Sequence, residues 1–202
     1  MLDTIYTTHT FAIKLKSSTM KLITFIFFLA QFHFSYSQHS ERFTALVKNI
    51  KHSDSSYIEN HYADGSLKSK GALLYYDMPE YKYSKRAGLW VEYYKNGEIK
   101  AESFYDNLGN LLSKSLYNLE DSISSEMKAT LIDSDISSSK DYFLRNDEVS
   151  IIFRIKNYKY GVDIGETYIR EMGLVKGGKR IGIWKVYTQR GRLEKEINYD
   201  DN

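Results

Sequence analysis

Three histidines, His39, His52 and His61, follow residue 37, and no two of them take the H-E-x-x-H spacing that sets paired imidazoles over zinc. A G-x-S-x-G nucleophile elbow is absent, as is a glycine-rich loop shaped to cradle phosphate. Gly177-Gly178-Lys179 resembles a fragment of such a loop, but it precedes a strand-like run and reads as a turn. Asp133 and Asp135, two apart in a polar run, are a bare hint of a calcium loop. Carboxylates are abundant, yet no two stand out as a glycosidase-like couple. The expectation is a chain that is not an enzyme, with no catalytic residue, no cofactor and no metal. The absence of cysteine excludes disulfides, thiolate metal sites and a lipidated N-terminal cysteine. A net charge of +2, with basic and acidic residues interleaved, argues against nucleic acid as a partner.

What remains are two tyrosine–glutamate pairs, Tyr93 with Glu102 and Tyr187 with Glu196, and each belongs to one of two twin segments. RAGLWVEYYKNGEIKAESFYD (86–106) and RIGIWKVYTQRGRLEKEINYD (180–200) contain the only two tryptophans of the chain, at the same place. Positions 85–106 and 179–200 share nine identities in 22: Lys85/Lys179, Arg86/Arg180, Gly88/Gly182, Trp90/Trp184, Tyr93/Tyr187, Gly97/Gly191, Glu102/Glu196, Tyr105/Tyr199 and Asp106/Asp200. The rare residue types are the ones that align, so this is an internal repeat. A weaker rhythm joins the other turns. Gly65, Gly97, Gly109 and Gly191 are each followed two residues later by Leu67, Ile99, Leu111 or Leu193, and then by Leu73, Tyr105, Tyr117 or Tyr199.

Asn96-Gly97 is a favoured two-residue hairpin turn, in which both positions take positive φ. That register sets Tyr94 opposite Ile99, Trp90 opposite Ser103 and Gly88 opposite Tyr105. Opposed residues share a face. One face then carries Trp90, Tyr94, Ile99, Ala101 and Tyr105, and its twin carries Trp184, Val186, Leu193, Ile197 and Tyr199. Gly88 and Gly182 leave room for the Tyr105 and Tyr199 rings. Gly88, Trp90, Gly97, Tyr105, Gly182, Trp184, Gly191 and Tyr199 are therefore structural core of the repeat. The other face carries Leu89, Val91, Tyr93, Lys100, Glu102 and Phe104, matched by Ile183, Lys185, Tyr187, Glu194 and Glu196. On it Tyr93, Glu102, Tyr187 and Glu196 have two readings: tyrosine–carboxylate hydrogen bonds that complete the sheet, or a ladder that contacts a partner.

Aromatic residues make up 15% of the chain, with 18 tyrosines and one proline, a composition suited to antiparallel β structure. Lys14, Lys16 and Lys21 precede the short apolar run LITFIFFLA (22–30), and small residues Ser35 and Ser37 precede Gln38. This describes a secretory signal peptide starting at Met20, with residues 1–19 as an upstream extension. No span remains once it is removed, so the protein is expected to be exported, periplasmic or secreted. Residues 38–202 form the repeat domain. Within it, SERFTALVKNIKH (40–52) has helical spacing behind Ser40, and hairpins centre on Asp64-Gly65, Asn96-Gly97, Leu108-Gly109, Gly161, Gly177-Gly178 and Gly191. The Ser/Asp-rich stretch near 119–148 breaks the pattern. Leu119, Ile123, Met127 and Leu131 recur every four residues, which reads as a short helix or as a flexible insertion.

The pattern R-x-G-x-W-x-x-Y-x-x-x-G-x-[IL]-x-x-E-x-x-Y resembles the MORN-repeat variant of bacterial proteins labelled YwqK-family antitoxins. The match is strong over 86–106 and 180–200, weaker over 57–77 and 105–117, and absent over 119–148. The resemblance implies a mostly all-β fold, an elongated twisted antiparallel sheet of β-hairpins with short accessory helices, and no catalytic, cofactor or metal residue. The leading functional expectation is a protein-binding module or scaffold of the cell envelope, with self-association open. The alternatives are an antitoxin or immunity-like protein against an envelope toxin, and a carbohydrate-binding protein that uses its aromatic sheet.

Overall fold

A computed structural model of the chain describes residues 38–200 except 79–80 and 146–147, so the signal peptide and upstream extension lie outside the described residues. Ten strands form one antiparallel sheet in strict sequence order: β1 (Asp54–His61), β2 (Leu67–Asp77), β3 (Lys82–Tyr93), β4 (Ile99–Tyr105), β5 (Leu111–Tyr117), β6 (Ile123–Ser134), β7 (Val149–Gly161), β8 (Glu166–Lys176), β9 (Lys179–Tyr187) and β10 (Leu193–Asn198). Two short helices accompany it among the described residues, α1 (Glu41–Val47) and α2 (Ser139–Leu144). The expected mostly-β hairpin sheet is what the chain forms.

Five of the hairpin turns are built alike. The N–H of the first turn residue donates to the carbonyl of the fifth, and the N–H of the fourth donates back to the first, at 62–66, 94–98, 106–110, 118–122 and 188–192. The fourth residue takes positive φ in each: Gly65 (87°), Gly97 (89°), Gly109 (85°), Asp121 (55°) and Gly191 (73°). Polar side chains brace the loops. Asp106 Oδ1, for example, accepts from the N–H groups of Leu108 (2.9 Å) and Asn110 (2.8 Å).

Two sequence expectations are corrected here. Asn96-Gly97 is not a two-residue turn: only Gly97 takes positive φ, and Tyr93 rather than Tyr94 opposes Ile99. A bulge at Lys100 absorbs the difference, so Trp90↔Ser103 and Gly88↔Tyr105 stand as expected. The true two-residue turn is Gly177-Gly178, both at positive φ between the paired Lys176 and Lys179. The second correction concerns 119–141, whose last residues enter α2 and whose first part, to Ser134, is neither a helix based on Leu119, Ile123, Met127 and Leu131 nor a flexible loop. This part continues the hairpins through the 118–122 turn into β6, with Asp121 taking the place of glycine. Aspartate is among the few residues that tolerate this left-handed conformation.

The core lies at one end of the sheet. Strands β4 and β5 stop at the 106–110 turn, whereas β2–β3 and β6–β7 run on past it. Leu74, Tyr76 and Ala87 from the first overhang join Ala129 and Ile132 from the second in one buried cluster. Phe43 of α1, Tyr142 and Phe143 of α2, and Leu108 and Leu112 around the turn fill it. Phe143 meets Tyr76 at 5.0 Å and Tyr83 at 5.3 Å between ring centroids. Burial pushes the Tyr76 hydroxyl up to about 12; that hydroxyl donates to the Asn107 carbonyl.

Because β5 leaves the far half of β6 uncovered, the segment before α1 pairs there instead. His39 bridges to Ile132 in parallel, and the Ser40 N–H donates to the Ile132 carbonyl at 2.9 Å. Ser40 caps α1 as expected, accepting from the Phe43 N–H and donating to Asp133. Asp133 also accepts from Arg42 (3.1 Å to Nε), and together Arg42 and Ser40 hold its carboxyl down at about 2. A depressed folded-state pKa gives stability that is present above the ordinary value of 3.8 and lost as pH falls towards about 2. Asp133→Asn is expected to lower the urea midpoint at neutral pH and to flatten its decline across that acid window. An unchanged acid limb would show that the contact does not anchor α1.

Candidate binding surface

Opposed residues share a face, and alternate residues along a strand return to it. The rows of the sheet therefore separate into two faces. On one, the Trp90 ring is 3% exposed and lies flat over Gly71 of the neighbouring strand. A Cβ added at Gly71 would come within 2.4 Å of that ring. The indole N–H donates to the Ala72 carbonyl at 2.8 Å, and the Arg86 guanidinium covers the ring at 4.5 Å from its centroid.

The second copy repeats every part. Trp184 is 1% exposed and lies on Gly173, where a Cβ would again come within 2.4 Å. Its N–H donates to the Leu174 carbonyl at 3.0 Å, Arg180 stacks at 3.9 Å, and Tyr199 meets the ring edge-on at 6.2 Å. Arg180 also donates to the Tyr199 hydroxyl (3.1 Å) and to Glu171 (2.6 and 3.1 Å). Burial raises the Glu171 pKa, but hydrogen bonds from Arg180 and Asn157 outweigh it and leave the carboxyl below its usual range.

The expected roles of Gly88 and Gly182 are corrected by this geometry. A Cβ at Gly88 would meet nothing within 4 Å, so the glycine does not make room for Tyr105. Its φ of 62°, and that of 61° at Gly182, are the requirement. Both sit in bulges: β2 passes from Lys70 to Ala72 while β3 passes from Val91 to Ala87, and β8–β9 does the same between Met172/Leu174 and Lys185/Ile181. Gly71 and Gly173 are the glycines that make room for a ring. Sequence reasoning missed them, although a lone glycine inside an apolar strand is a recognised signal of close backbone approach.

On the other face, the four singled-out residues are engaged with neighbours, but not with one another. Glu102 accepts from the Tyr117 hydroxyl at 2.9 Å rather than from Tyr93. The Tyr93 ring carries Lys70 at 5.6 Å, the Tyr187 hydroxyl donates to Met172 Sδ at 3.6 Å, and Glu196 pairs with Lys185 at 3.4 Å. Glu126 behaves likewise: hydrogen bonds from Tyr158 and Lys156 hold its carboxyl low. This face leaves large apolar side chains uncovered. Leu89 and Ile183, each following a bulge glycine, are 53% and 56% exposed. Phe104, directly opposite Leu89, is 44% exposed.

The Asp133–Asp135 hint resolves into two acceptors for Arg42, and His39 Nε2 lies 3.0 Å from Asp106 Oδ2. Among the described residues, no three His, Asp or Glu side chains gather in a metal-ligating group. No helix among them is long and apolar enough to cross a membrane.

Residues 86–107 and 180–201 each match the family model described as the MORN repeat variant. The two copies are MORN-variant repeats. Their boundaries fall on β3–β4 and β9–β10, so each MORN copy is one hairpin carrying its own tryptophan, bulge glycine and turn glycine. No curated protein matches the chain.

Trp90→Ala or Trp184→Ala should each cost roughly 3–5 kcal/mol in chemical denaturation. A cost below about 1 kcal/mol would contradict the packing described. Gly88→Ala should cost about 1–2 kcal/mol through its backbone alone, and Gly88→Asn less. Equal costs for the two would show that space rather than φ is the constraint.

Proposed function

We propose that this is an exported, non-catalytic repeat protein that binds another protein through the face opposite its tryptophans. The MORN-variant repeats support a repeat-based protein-binding module. The observation that carries the reading is the paired exposure of Leu89 and Ile183 at one repeat position, each lifted outward beside a positive-φ glycine. Packing accounts for the tryptophans, arginines and tyrosines of both copies, but not for two large aliphatic side chains held in water at equivalent places. Tyr93 and Glu102 in the hairpin of Leu89, and Tyr187 and Glu196 in that of Ile183, then form polar surroundings to each apolar position, an arrangement typical of protein interfaces.

Export rests on the basic, apolar and small-residue succession before Gln38. The intact mass of the protein recovered from cells should correspond to a chain that begins near Gln38; a chain retaining residues 20–37 would refute export by this route.

Immobilised mature protein should retain a defined protein from an envelope extract, and Leu89→Asp with Ile183→Asp should abolish retention while the melting temperature holds. Recovery of glycan fragments alone would favour a carbohydrate-binding role. Retention unchanged by the two substitutions would remove this face from the account.

A further inference from the structure

The row of the sheet that contains Leu89 and Phe104 continues across the strands as Ser113, Lys128 and Arg154. Lys128 on β6 and Arg154 on β7 are directly opposed, and both are exposed. Like charges placed opposite one another destabilise a sheet. Elsewhere on this face three pairs of opposite charges are matched: Glu126 with Lys156, Lys185 with Glu196, Arg170 with Glu194. The side chains of Lys128 and Arg154 form no ion pair or hydrogen bond with any described residue. Two cations are thus left to repel each other in the row that also presents the apolar Leu89–Phe104 pair, with the small Ser113 between Phe104 and Lys128.

We propose that this row is a docking strip for an acidic polypeptide segment, whose carboxylate bridges Lys128 and Arg154 while a large apolar side chain lies on Leu89 and Phe104. The inference deepens the protein-binding reading above and rests on it. A carboxylate set between the two cations turns their repulsion into attraction, and Ser113 leaves a shallow trough for the backbone that joins the two anchors. Phe104 and Lys128 are two strand spacings apart, about 10 Å. An extended segment covers that distance in roughly three residues, so an acid and an aromatic two to four positions apart meet both anchors. A second copy of the chain is a poorer occupant through its edge strand β10, whose own acids Glu194 and Glu196 are already held by Arg170 and Lys185.

The test uses fluorescence polarisation of the mature protein with a dye-labelled peptide of repeated Asp-Ser-Phe-Ser units, and with the same peptide carrying Lys in place of Asp. The acidic peptide should bind, the basic one should not, and added salt should weaken binding. Lys128→Glu should weaken binding about tenfold or more, yet raise the melting temperature, because the carboxylate it introduces would pair with Arg154. A merely structural role for Lys128 predicts no loss of binding. Leu89→Ser should weaken binding while leaving the salt dependence intact. Binding that is indifferent to Lys128→Glu, or preference for the basic peptide, overturns the proposal. So does capture of anionic phosphatidylglycerol vesicles in preference to the peptide. If an envelope protein is retained equally by wild type and by Lys128→Glu, this strip is refuted while the protein-binding reading stands. If neither peptide nor protein is retained, both fall.

Discussion

A tryptophan laid flat on a glycine of the next strand is the contact on which this fold depends. A ten-stranded sheet accompanied, among the described residues, by two short helices has little second layer against which to bury aromatic rings. The chain buries them within the sheet itself. Gly71 and Gly173 supply a floor without a Cβ, the carbonyls of Ala72 and Leu174 take the indole N–H, and Arg86 and Arg180 close the open side. The bulges at Gly88 and Gly182 bring each ring over its glycine, and they also turn Leu89 and Ile183 outward. One backbone device thus buries a ring on one face and exposes an aliphatic side chain on the other.

The two copies carry this device in different company. The first sits inside the sheet, beside the overhanging strands that close over Phe43, Tyr142 and Phe143. The second lies in the last two strands, where β10 has no fully buried residue and Trp184 and Val186 are the buried positions of β9. Identical local grammar therefore serves a well-covered hairpin and a thinly covered one. The difference is made up by polar contacts: Arg180 bonds both Tyr199 and Glu171, and Glu171 takes Asn157 in turn, an arrangement tighter than that around Arg86.

Much of this fold could be read from the residues. The twin segments, the buried tryptophans, the Ser40 cap and most of the turns follow from residue type and spacing. The failures have physical causes. Asp121 concealed a hairpin because the left-handed position was filled by aspartate instead of glycine. The spacing of Leu119, Ile123, Met127 and Leu131 imitated a helix because a spacing of four residues suits strand alternation as well as a helical turn, and Leu119 in fact lies in the 118–122 turn. Gly71 and Gly173 escaped notice because the connections to their tryptophans differ in length, residues 78–81 in one hairpin and 177–178 in the other. An alignment at fixed offset cannot superpose them. The opposed Lys128 and Arg154 were beyond reach for the same kind of reason: their pairing depends on the hairpin that Asp121 hides.

The account is tested most directly by a double-mutant cycle between Gly71 and Trp90, read by urea unfolding. Gly71→Ala should strongly destabilise the native chain, because the added methyl enters the indole ring, and should cost little in a Trp90→Leu background where the flat ring is gone. Equal costs of Gly71→Ala in the two backgrounds would contradict the claim that ring and glycine form one unit.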